Sequence, residues 1–159
     1  YESSMYIHSK GETYTINPYD NSEIFCNFIG KYNVFYRRNK PSKMSFVLNP
    51  EPMVEYTFNN LEYKSVALDN NNLEQRYTWE RITSSNEFQN SGLINLIQNK
   101  NIRQLNRKWR LNIPRDNNKV NRIRNTWALI TLESDNLEAY NYTNNDIVSY
   151  YNPNYKIIQ

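Results

Sequence analysis

Apolar and aromatic residues recur at every second position in short runs along the first half of the chain, which is the period of an extended strand with one face turned inward. Met5 to Ser9 and Glu12 to Ile16 flank Lys10-Gly11 and predict a tight hairpin, with Gly11 supplying the positive φ that such a turn requires. Asn17 to Asn21 ends it, and further strands are expected at Glu23 to Ile29, Tyr32 to Arg37, Lys43 to Leu48, Val54 to Phe58, Leu61 to Leu68 and Arg76 to Ile82. Lys-Pro, Asn-Pro and Glu-Pro pairs punctuate them, and proline belongs at turns or sheet edges. One segment changes period. Ser84-Ser85-Asn86-Glu87 sets a hydroxyl near an acid as a capping box does, and Leu93, Ile94, Leu96, Ile97, Ile102 and Leu105 follow at near-helical spacing. Gly92 inside that helix marks a break, with Ser91 as the alternative start. Strands are expected again at Lys108 to Ile113 and Thr126 to Leu132, separated by a turn over Pro114 to Asn118. The tail from Asn144 to Gln159 carries Val148-Ser149-Tyr150-Tyr151 and a loose end. The pattern reads as mainly β or α+β: an antiparallel sheet of short strands with one packed helix, forming a single compact domain over residues 1–159.

Composition sharpens this picture. With 159 residues and 38% hydrophobic positions, the chain can bury one ordinary core. The mean hydropathy of -0.89 is that of a very polar chain. Disorder is nevertheless disfavoured, because 14% of the residues are aromatic and they interleave with Ile and Val. There are 14 tyrosines, 3 glycines and repeated asparagine clusters, so the polar surface is built from amides and phenols, a usage that accompanies AU-rich genomes. The net charge of +3 does not by itself call for a polyanionic partner. Cys26 lies among apolar residues and is expected to be an inert thiol without a disulfide. No run approaches the roughly 20 apolar residues of a membrane-spanning helix, and no signal peptide opens the chain. A start at Tyr1 fits a piece of something longer.

His8, Ser9 and, beyond the hairpin, Asp20 supply a base, a nucleophile and an orienting acid, the three parts of an acyl-transfer site. Neighbours on a regular strand point to opposite faces, so Ser9 reaches the His8 ring only if the backbone twists; Asp69 and Asp116 are alternative acids. A solvated hairpin histidine is the plainer reading. The second candidate is the basic stretch Lys100 to Arg124, opposed within itself only by Asp116, which suits a phosphate backbone with Trp109 as a stacking ring. An ordinary solvated face or an inter-subunit contact, neutralised by acids such as Glu133 to Glu138, is the alternative. Trp79, Trp109 and Trp127 fit the core of a sheet. One histidine, one cysteine and scattered glycines give neither a metal set nor a phosphate-cradling loop, so no cofactor and no metal are expected. Tyr140-Asn141-Tyr142, Ser149 to Asn152 and Tyr155 are the residue types of adaptable recognition surfaces, and Asn141-Tyr142-Thr143 is a lone sequon.

Taken together, the start without methionine, the terminal Gln159, the AU-rich residue usage and a sheet domain with His8-Ser9 near Asp20 resemble the protruding domain of an iflavirus capsid protein. That resemblance implies the C-terminal extension of a larger capsid protein, exposed on the virion surface. Its implied role is host-cell attachment or entry, and its implied partners are a host-cell receptor or glycan and neighbouring capsid proteins. It also implies a hydrolase-like grouping of His8, Ser9 and Asp20. The alternative is a viral RNA-binding domain that uses the basic 100–124 segment.

Overall fold

A computed structural model of the chain describes residues 5–27 and 29–154, the side chain of residue 21 excepted. The described residues form fifteen strands and no helix, and the chain divides into two compact units, Tyr1–Lys40 and Pro41–Gln159. The mainly β expectation holds. The packed helix does not.

In the first unit, β1 (Tyr6–Ser9), β2 (Glu12–Asn17) and β3 (Asp20–Cys26) make a three-stranded antiparallel sheet in that order. Ser9 faces Glu12, which leaves a two-residue turn at Lys10 and Gly11 with φ of 52° and 81°. Both values are positive, as a type I′ hairpin demands. A second small hairpin joins β4 (Val34–Phe35) to β5 (Arg38–Asn39) through Tyr36 and Arg37, again both at positive φ. Residues expected to extend one strand through Arg37 instead turn back on themselves.

The second unit holds the core. Its first sheet contains β6 (Ser42–Leu48), β9 (Arg81–Ser85), β10 (Ile94–Asn95) and β14 (Ala128–Ser134) in the order β10-β9-β14-β6. Its second sheet is organised by β7 (Tyr56–Leu68), flanked by β8 (Glu74–Gln75), β11 (Ile102–Leu105), β12 (Lys108–Asn112), β13 (Arg124–Asn125) and β15 (Asn141–Pro153). Strand β15 runs antiparallel along β7 from Asn141 opposite Leu68 to Pro153 opposite Tyr56. Two register shifts interrupt it, and Asp146 takes a φ of 47° at the first. The tail is therefore a paired strand as far as Pro153, and the loose end expected after it, with Tyr155, lies outside the described residues.

Alternation explains how the sheets meet. Ala128, Ile130, Leu132 and Ser134 of β14 are buried, with the residues between them half-exposed, and Ile82 and Ser84 of β9 follow the same rule. On the second sheet Phe58, Leu61, Tyr63, Trp109 and Leu111 are buried, and both rows belong to one apolar cluster. Removing each such aliphatic side chain from water contributes about 1.5–3 kcal/mol. Two interior hydroxyls are partnered, the Tyr63 hydroxyl with Thr78 Oγ1 at 2.8 Å and Ser84 Oγ, which donates to the Pro114 carbonyl at 3.0 Å. The indole N–H groups of Trp79 and Trp109, in contrast, are buried without a hydrogen-bond partner among the described residues. Burial pushes the Tyr63 phenol well above its ordinary range. Trp79 and Trp109 are core residues as expected, whereas Trp127 is half-buried.

The segment read as a helix shows why the expectation failed. From Leu93 to Ile97 the burial alternates, with Ile94 and Leu96 turned inward and Leu93 and Ile97 exposed, which is a strand's period of two. Gly92 and Asn99 sit at positive φ and break the run on either side. Ile102 to Leu105 then pairs with β12 across a turn at Asn106 and Arg107.

Candidate functional site

His8, Ser9 and Asp20 all fall in the three-stranded sheet of the first unit. The His8 ring bonds Thr13 Oγ1 at 3.1 Å, across the hairpin to its register partner. Ser9 lies opposite Glu12 and, as the next residue on a regular strand, projects to the other face. The Asp20 carboxylate accepts from the backbone N–H and the hydroxyl of Ser22, at 2.9 and 2.6 Å, and these bonds hold it below the usual carboxylate range. The structure thus brings His8 to Thr13 and Asp20 to Ser22. Among the described residues these groups form no relay with one another. The alternative acids are likewise engaged locally. Asp69 accepts from the backbone of Asn71 and Leu73 and from Gln75, and Asp116 accepts from the backbone of Asn90 and Lys119.

The basic stretch has a more definite geometry. Cross-strand pairing aligns Arg103 with Arg110, Arg110 with Glu62, and Glu62 with Val148, so these four lie along one rung on one face of the sheet. The next rung on that face is Asn112, Asn60 and Tyr150. The intervening positions, Trp109, Tyr63, Leu111 and Leu61, face the core. Lys108 pairs with Glu62 at 3.1 Å, and the carboxylate raises its ammonium above the ordinary lysine value. No other cation between Lys100 and Arg124 has an acidic partner within salt-bridge distance among the described residues. The neutralisation expected from Glu133 to Glu138 does not occur there, because Glu133 is engaged by Lys43 and Arg81, and Asp135 by both ends of the Arg81 guanidinium.

Two cavities open onto this charge. The larger, about 960 Å³, lies beside the Ile113–Arg122 loop, with Ile82, Ile94, Leu96 and Ile113 as its apolar lining and Arg115 and Arg122 among its polar groups. The smaller, about 470 Å³, is lined by Lys100, Arg103 and Arg110 together with asparagines. Asn60, Asn101 and Asn112 line both, so the two are halves of one cleft. Arg122 donates to Asn59 Oδ1 at 2.8 Å and Arg115 to the Val120 carbonyl at 3.2 Å, which fixes both guanidinium groups while leaving donors unused. The Arg110 guanidinium stands 5.1 Å from the centroid of the Tyr150 ring. Sequence reading found the cations but not the cleft, which depends on which rung of the sheet each residue occupies.

These features define the class first: a β-sheet domain whose second unit carries a polar, cationic cleft at one end of its core. The sequence matches the family model of the Crassvirus muzzle protein C-terminal domain over residues 30–116. The chain belongs to that family. It is also 33% identical over 137 residues to the muzzle protein of Bacteroides phage crAss001, an alignment that takes in 84% of this chain and 10% of that protein. The chain therefore spans about a tenth of the length of the curated relative it matches. This corrects the resemblance drawn from the sequence. The chain is a bacteriophage protein of a virion-associated, structural kind, not the protruding domain of an iflavirus capsid. The grounds for that resemblance, a start without methionine, a terminal Gln159, residue usage and His8-Ser9 near Asp20, include no motif of a family. Host-cell attachment or entry and receptor binding rested on that resemblance and fall with it.

Proposed function

We propose that this chain is an assembly module of a phage structural protein, which contacts other virion proteins through the cleft in its second unit. The observation that carries this reading is the cleft itself: fixed cations without acidic partners among the described residues, above an apolar lining. Interfaces are built from a desolvated apolar centre inside a polar rim, and Arg and Tyr are the residues they favour. Membership of the muzzle protein C-terminal domain family supports reading the partner of such a contact as another phage protein. Within that reading, the neighbours are the proteins that surround this segment in the assembled virion.

Lysine cross-linking of purified virions of the phage encoding this chain, followed by mass spectrometry, tests the proposal. Links from Lys100, Lys108 or Lys119 to a different virion protein are expected. Virions that lack the chain's peptides, or that link these lysines only to the chain's own protein, would overturn it.

A further inference from the structure

From the lining of the joined cleft we infer its ligand, in a step that rests on the assembly reading above: an extended acidic peptide segment, with one aliphatic side chain between its carboxylates, donated by a neighbouring virion protein. Three features of the cleft select this chemistry. Lys100, Arg103 and Arg110 at one end, and Arg115 and Arg122 at the other, supply positive charge to both halves. Against them stands Asp116, which is 4% exposed and already accepts two backbone N–H bonds. Charge complementarity therefore calls for an anionic partner.

Between the charged ends lie Asn60 and Asn112, joined in the larger cavity by Asn117. Their side-chain amides bond no other described residue. Each offers a donor and an acceptor, the same pair that a peptide backbone presents. The lining beneath them is branched aliphatic: Ile82, Ile94, Leu96 and Ile113, with Val120 at the mouth. That surface takes a Leu or Val side chain. Of the two aromatic rings in that lining, Tyr150 already carries the Arg110 guanidinium and Tyr151 packs edge to face with Tyr56 at 4.8 Å, so a base or a pyranose meets no ring without a partner. Nucleic acid and acidic oligosaccharide match the charge but not the lining.

Fluorescence anisotropy on the 159-residue chain tests this with a defined probe, fluorescein-Gly-Glu-Asp-Leu-Glu-Asp-Gly. Its amide counterpart, Gly-Gln-Asn-Leu-Gln-Asn-Gly, and a version with Ser in place of Leu complete the set. The acidic peptide is expected to bind at low salt and to lose about tenfold or more in affinity on either replacement. The same loss is expected in Lys100→Glu/Arg103→Glu, whose side chains are exposed and unpaired, and in Val120→Asp. Moving the same charge change elsewhere in the second unit, as Lys43→Glu on β6 at the opposite sheet edge from β10 combined with Arg76→Glu just past β8 at the far end of β7 from Asn60, is expected to leave binding within about twofold. Circular dichroism and the unfolding midpoint confirm that each variant is folded. Equal affinity for the acidic and amide peptides, equal losses from the two charge reversals, or tighter binding of a ten-nucleotide oligothymidylate or a sulfated octasaccharide would overturn the inference. Loss of peptide binding with virion cross-links intact removes the acidic-peptide ligand and leaves the assembly reading standing.

Discussion

Val120 holds a φ of 57°, a conformation in which a β-branched side chain crowds its own backbone. The surrounding loop enforces it: the Val120 N–H donates to the Asp116 carbonyl at 2.9 Å, and the Asp116 N–H donates to the Asn121 carbonyl at 2.8 Å. L-residues pay about 1–2 kcal/mol for this region, and asparagine tolerates it best after glycine. Val120→Asn is therefore expected to raise the unfolding free energy by about 1 kcal/mol, measured as an increased urea midpoint with an unchanged slope. A midpoint at or below wild type would show that the loop is not strained. Asp69 makes the opposite kind of contribution. Its carboxylate is depressed first by the backbone N–H of Leu73, which the opposing effect of burial offsets in part, and then further by the backbone N–H of Asn71 and the Gln75 amide. A depressed acid stabilises the fold above its unfolded value and loses that contribution as pH falls through the folded one. Asp69→Asn should consequently be less stable than wild type at pH 7, and the gap should close as pH drops below the ordinary carboxylate range. A gap that stays constant down to pH 2 would refute the assignment. Neither residue declared its role in the sequence. Asp69 drew notice only as a spare acid for His8, and Val120 lacked the glycine or asparagine that marks a left-handed position.

At the level of strands, legibility followed turn chemistry. The β1–β2 hairpin was readable because Lys10-Gly11 carries the residue that a type I′ turn favours. Tyr36-Arg37 and Asn106-Arg107 make the same turn without glycine, so one was read as strand and the other as the end of a helix. Strands β6 and β14 were found close to their limits, because their alternation is complete, with the inner face of β14 buried and that of β6 half-buried. Strand β7 was read as two, Val54 to Phe58 and Leu61 to Leu68, because the alternation fails over residues 56–60. Strand β15 was seen only as a fragment, since the bulge at Asp146 and the register shift between Tyr150 and Tyr151 interrupt the pairing of what is a thirteen-residue strand. The two rungs that frame the cleft, one charged and one of amides, were invisible for a related reason: register across three strands is a tertiary fact, and sequence spacing within β11 or β12 alone does not contain it. The turn between those strands offers a direct test. Arg107 has a φ of 61°, and Arg107→Gly would convert Asn106-Arg107 to the favoured Asn-Gly pair. The β11–β12 hairpin should gain about 1 kcal/mol, from relief of the side-chain clash less the added freedom of glycine in the unfolded chain. Hydrogen exchange of the Arg103 and Arg110 amides would report it as increased protection, and unchanged protection would count against a strained turn.

For the chain as a whole, apolar burial is unevenly shared between the two units. Every member of the main core cluster, from Tyr56 to Leu132, lies in the second unit, together with the partly buried side chains packed against it, from Met44 to Tyr142. All three tryptophans are there as well. In the first unit the buried residues among those described are Thr15, Asn17 and Tyr36, two of them polar. A chain of about 40 residues seldom buries enough apolar surface to offset its conformational entropy without disulfides or metals, and Cys26 is a single free thiol. Residues 41–159 produced alone should consequently fold, with tryptophan fluorescence and far-ultraviolet circular dichroism reporting one coincident urea transition. Residues 1–40 alone should show the broad, non-cooperative response of an isolated small sheet, because three short strands with a mostly polar interior sit near the limit of independent stability. If the larger piece instead unfolded without cooperativity, the fourteen-residue cluster would not be self-sufficient, and its stability would have to be sought in contacts that the second unit does not make within itself. If it folds, the cleft should bind the acidic probe with the affinity of the full chain, since every residue lining it belongs to that unit.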